Sequence, residues 1–194
     1  MRAARLRLVL TALLLMLAGC GGTPRKDTFY RLPDSGAGAP TSAASGAVIY
    51  VPPFTADGLH GERALIYAHD DGTALEQYTY HYWVDSPRLL LQQALTERLR
   101  AGGAHRVVTS PSPESRYTVR GRIRKLERRG ASAEVALEFE LLSAATEVPE
   151  FVRVYTRSMP LGDDTMSTCA KALGEAAQDV LASLVTDLEG YWVR

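Results

Sequence analysis

Bond-making chemistry needs a nucleophile or a metal with a base in reach, and the first candidates are two cysteines, four histidines and the carboxylates beside them. Cys169 would be a reactive thiol if it lay at a helix N-terminus, where the dipole lowers a thiol pKa. No base adjoins it, so it reads as a small buried hydrophobe. His69-Asp70-Asp71 offers three consecutive cation ligands, but neighbouring side chains at a strand end diverge, and Asp70 and Asp71 are ordinary turn residues. His60, His81 and His105 share no spacing and read as structural or solvated. The sequence contains no G-x-S-x-G, H-E-x-x-H, P-loop or G-x-G-x-x-G pattern. The expectation is a protein that is not an enzyme and has no catalytic residue, metal or soluble cofactor.

The remaining cysteine, Cys20, suggests a different chemistry. Arg2, Arg5 and Arg7 precede an apolar run from Leu8 to Ala18 broken only by Thr11, the pattern of a secretory signal too short to span a bilayer. Leu17-Ala18-Gly19-Cys20 resembles the bacterial lipobox, which implies that residues 1–19 are a lipoprotein signal peptide and that Cys20 carries covalent lipid. Each buried methylene contributes about 0.8 kcal/mol, so three acyl chains would make release from a membrane negligible. In such lipoproteins an aspartate after the cysteine retains the chain at the inner membrane. Gly21 stands there instead, which implies the outer membrane and its periplasmic face.

Residues 20–27 then form the lipidated cysteine and a polar tether, and 28–194 form one domain, long enough to bury a substantial core. Basic and acidic residues number 22 each, and three of the basic ones lie in the signal, so the remainder is about three units negative. That balance argues against a nucleic-acid partner. With Cys20 consumed by lipid, Cys169 has no disulfide partner within the chain.

The elements that would position these groups follow from periodicity. Phe29-Tyr30-Arg31-Leu32 is a short strand, 34–46 is a surface loop of small residues, and Ala47–Val51 is a buried strand stopped by Pro52-Pro53. Asp-Gly at 71–72 joins two strand patterns into a hairpin. In its second strand a period of two would place Tyr78, Tyr80 and Tyr82 on one face and Trp83 on the other. We take Tyr78, Tyr80, Tyr82 and Trp83 as candidate partner-binding residues, because Tyr and Trp are enriched at interfaces. Ser86-Pro87 opens a leucine-rich helix closed by Gly102-Gly103. Three alternating strands follow as an antiparallel meander, with arginines and glutamates facing outward. Asp163-Asp164-Thr165 then caps a long helix with an apolar stripe from Ala170 to Leu188. The fold class is α+β, a mostly antiparallel sheet packed by two amphipathic helices.

The lipobox, the Phe29–Leu32 strand, the aromatic strand running through Trp83 into Pro87 and its Leu91, Leu95, Leu99 helix, the meander and the last helix together resemble the ABC-type transport auxiliary lipoprotein family. The long loop 34–46 departs from that pattern. The resemblance implies an accessory subunit of a transporter whose partner is an MCE (mammalian cell entry) protein, moving lipids or hydrophobic molecules across the envelope. A homo-oligomer suits that role, since repeated copies raise effective concentration. A structural or enzyme-activating lipoprotein of outer-membrane or cell-wall assembly is the alternative.

Overall fold

Fifteen residues of alternating character, Ser115–Arg129, form the strand on which the sheet is built. The computed structural model describes residues 25–34, 46–69, 71–146 and 148–192. Cys20, Gly21, Asp70 and most of the 34–46 loop lie outside the described residues. In chain order the elements are β1 (Thr28–Tyr30), β2 (Val48–Tyr50), β3 (Thr55–Ala56), a 3-10 turn (Gly58–Gly61), β4 (Ala64–Ala68) and β5 (Leu75–Trp83). There follow α1 (Pro87–Ala101), β6 (Arg106–Val108), β7 (Ser115–Arg129), β8 (Ser132–Ser143), β9 (Pro149–Pro160) and α2 (Met166–Trp192).

One edge of β7 carries β8 along its whole length, and β9 continues beyond, which is the expected antiparallel meander. Along the other edge β2, β3 and β4 pair in succession, all parallel to β7. Pro52-Pro53 and the 3-10 turn divide that edge into short pieces, because proline cannot donate to a ladder. Outside β2 lies β6, and outside β4 lie β5 and then β1. The sheet is therefore mixed: among the described residues the three antiparallel ladders are the longest, and the five parallel pairings each register two or three residues.

The alternation of β7 and β8 sorts their side chains as the pattern requires. Val119, Ile123, Leu137, Phe139 and Leu141 are at most 1% exposed. On the other face Arg122 stands opposite Glu138 and Arg120 opposite Glu140, and Arg124 donates to Glu138 at 2.5 Å. Gly121 belongs to the buried face for a steric reason: a Cβ there would lie 2.6 Å from the Phe54 ring.

α1 and α2 cover the apolar face. Thr165 caps α2, its Oγ1 accepting from the Thr168 N–H at 3.2 Å, while the Asp163 carboxylate accepts from the Thr165 N–H at 2.8 Å. Leu173, Val180, Leu181, Leu184 and Leu188 are fully buried along one stripe of α2. In α1 the stripe is Leu91, Leu95 and Leu99. Ser86 occupies the N-cap of α1 without a side-chain capping bond. Each leucine truncated to alanine in such a core costs about 2–5 kcal/mol.

Gln178 ties three distant segments together. Its Nε2 donates to the Pro33 carbonyl at 2.7 Å, and its Oε1 accepts from Arg98 Nε of α1 at 2.8 Å. Pro33 sits directly over Gly174, where any Cβ would overlap its ring.

Candidate functional site

The aromatic strand does not keep a period of two. Ile66 of β4 pairs with Gln77, yet Ala64, two residues away, pairs with Tyr82, so β5 carries three extra residues between these points. The bulge is centred on Tyr80, whose φ is +68°. Left-handed backbone costs a residue with a Cβ roughly 1–2 kcal/mol, and such strain concentrates at functional sites. An interrupted pleat also redirects the side chains on either side of it.

The four residues taken from the sequence as one binding set are therefore dispersed. Trp83 is 1% exposed and part of the core, which removes it from any partner-facing surface. Tyr78 packs against the core and lies 4.6 Å from the Tyr67 ring, centroid to centroid. Tyr82 sits instead against Phe29 of β1, with centroids 5.8 Å apart. Tyr80 is half-buried within the bulge. The expectation that Tyr78, Tyr80 and Tyr82 share a face fails because periodicity counts residues and cannot see a bulge.

β1 completes this edge. It runs parallel to the end of β5, pairing Thr28, Phe29 and Tyr30 with His81, Tyr82 and Trp83. The Tyr30 hydroxyl lies 2.9 Å from His81 Nδ1. Phe29 is 52% exposed and carries the Arg63 guanidinium 5.6 Å from its ring centroid. Arg63 is held there by bonds to the carbonyls of Trp83 (3.3 Å) and Val84 (3.0 Å). Phe29, Tyr82 and Arg63 thus form an aromatic and cationic patch, of the residue types that anchor interfaces. Phe29 and Arg63 were not singled out from the sequence, since the pairing that unites them spans about fifty residues.

At the hairpin turn, Glu76 accepts from the Tyr67 hydroxyl and lies 2.8 Å from His69 Nε2. These bonds, that of Tyr67 foremost, hold its carboxyl below the usual range. Cys169 is fully buried, and burial pushes its thiol up to about 11. That is the reverse of what a nucleophile requires. His60 is buried beside Glu127, with Nε2 3.4 Å from the carboxylate, and its Nδ1 accepts from the Leu126 N–H at 3.4 Å. Burial lowers its pKa, against the opposing pull of the Glu127 carboxylate, and so favours the neutral ring. This His60–Glu127 pair also had no signal in the sequence. Among the described residues no group of three side chains is placed to hold a metal ion.

The comparisons agree with this architecture. An uncharacterised protein superimposes with a TM-score of 0.70 at 13% identity, covering 84% of this chain and 99% of its own. A Xanthomonas campestris protein from a family of undefined function also gives 0.70, at 18% identity, covering 81% and 92%. A hypothetical protein of Chlamydia trachomatis gives 0.54 at 11% identity, covering 76% and 98%. At these identities the likeness establishes the fold alone. No curated protein matches the sequence. Residues 30–185, from Tyr30 of β1 to Val185 of α2, match the family described as the ABC-type transport auxiliary lipoprotein component. The chain belongs to the ABC-type transport auxiliary lipoprotein family.

Proposed function

We propose that this chain is the outer-membrane accessory subunit of an ABC transport system containing an MCE protein, and that it helps move lipids or hydrophobic molecules across the envelope. Lipid on Cys20 holds it at the periplasmic face, and it works as a homo-oligomer by geometry, without bond-making chemistry. The observation that carries this reading is the pairing of β1 with β5. Thr28 lies eight positions after Cys20, a reach of at most about 28 Å when extended. The aromatic patch of Phe29, Tyr82 and Arg63 is consequently held within that distance of the membrane surface, where docking gains from confinement as well as contact.

The test is photocrosslinking in intact cells with reactive residues at Phe29, Tyr80 and Tyr82. Adducts to an MCE protein are the expected result. Adducts confined to cell-wall synthases would replace this reading with that of an assembly or enzyme-activating lipoprotein. Gly21→Asp is expected to shift the protein into inner-membrane fractions, and an unmoved distribution would remove the outer-membrane address.

A further inference from the structure

At the opposite end of β7 from the hairpin turn lies a cavity of about 510 Å³ lined by Ala47, His105, Arg116, Tyr117, Tyr191 and Trp192. Its volume falls in the range of small-molecule sites. Its walls are aromatic: His105 and Trp192 meet edge to face at 4.3 Å, and Tyr117 lies 6.3 Å from Trp192.

The rim of the cavity carries a positive charge. The Arg116 guanidinium stacks 5.7 Å from the Tyr117 centroid and is exposed. It forms no ion pair among the described residues. The nearby carboxylate of Glu150 already accepts from the Tyr191 hydroxyl. We infer that this cavity binds an anionic amphiphile, with an alkyl or acyl chain against the aromatic walls and a carboxylate or phosphate accepting from Arg116.

β1 runs in the same direction as β5, away from the hairpin turn, so the chain enters the sheet from the hairpin side. α2 begins beside Arg128 at that end and finishes at the cavity. Its 27 residues span about 40 Å. As a cargo site the cavity rests on the transport reading; as a binding site it stands on its own chemistry.

The full lipidated chain in nanodiscs of zwitterionic lipid provides the test, with 10-bromodecanoate, 10-bromodecyl phosphate and 10-bromodecanol as quenchers. The chain has two tryptophans, and Trp83 is buried, so quenching reports on Trp192. Saturable quenching by either anion, at least about tenfold tighter than by the alcohol, is expected, and the stronger anion identifies the headgroup. Trp192→Phe should abolish the signal, and Arg116→Gln should weaken the anions about tenfold while leaving the alcohol unchanged. Equal affinity for alcohol and anions, no saturation, or indifference to Arg116→Gln would overturn the site, and MCE crosslinks at Tyr82 would still stand.

Discussion

Tyr30 and His81 join the beginning of the domain to its aromatic strand through a 2.9 Å bond between hydroxyl and Nδ1, beneath stacked rings 6.0 Å apart. The pair adds to the three-residue ladder and to the Phe29–Tyr82 contact in fastening β1 to the sheet.

Removing the hydroxyl alone tests that fastening. Tyr30→Phe keeps the ring stack and should lower stability by about 1 kcal/mol, read as a shift in the urea midpoint at constant slope. An unmoved midpoint would mean that solvent replaces the bond without loss.

Trp83 and Phe29 lie within one register step of each other but differ fully in burial. Trp83→Ala should cost about 3–5 kcal/mol. Phe29→Ala should cost less than about 1 kcal/mol and show its effect in partner crosslinking. Comparable losses of stability would place Phe29 in the core and end its role in the patch.

At Tyr80 the usual order of strand residues should invert. Because φ is +68°, Tyr80→Gly should be more stable than Tyr80→Ala by about 1 kcal/mol. In an ordinary strand position alanine would win, and that result would show the bulge to be absent in solution.

How much of this was written locally in the sequence varies by element. The Asp-Gly hairpin, the Arg and Glu faces of β7 and β8, and the stripe of α2 are carried by residues a few positions apart, and all three were legible. The parallel pairings of β1 with β5 and of β2 with β7 join segments separated by about fifty to seventy residues, and no local period encodes them. The candidate site was half legible for the same reason. Tyr82 was found by residue type, whereas Phe29 and Arg63 acquire their meaning only from the pairing. Trp83 was misplaced because three extra residues in β5 reset the pleat.

Cys169 should resist a disulfide reagent in the native chain at pH 8, since its thiol titrates at about 11 and is fully buried. Labelling should appear only with denaturant. Cys169→Ala should cost about 1–2 kcal/mol, and rapid native labelling would contradict the burial.

Acid should loosen the fold before its carboxylates titrate. Burial lowers the pKa of both His60 and His105, while in the unfolded chain each titrates near about 6.5. As pH falls through that value the unfolded chain takes up protons that the folded chain refuses, so stability drops. Thermal midpoints should decline between about pH 7.5 and 5.5, and His60→Gln should flatten the decline. A midpoint that rises on acidification would reverse the sign and refute the argument.

Pro33, three residues beyond β1, rests on Gly174 and hands its carbonyl to Gln178, 145 positions later. In a chain threaded through a membrane from its N-terminus, that clasp cannot close until α2 has emerged. The segment that follows β1 is therefore fixed only once the far end of the domain exists, and a chain cut short before Gln178 would leave it loose.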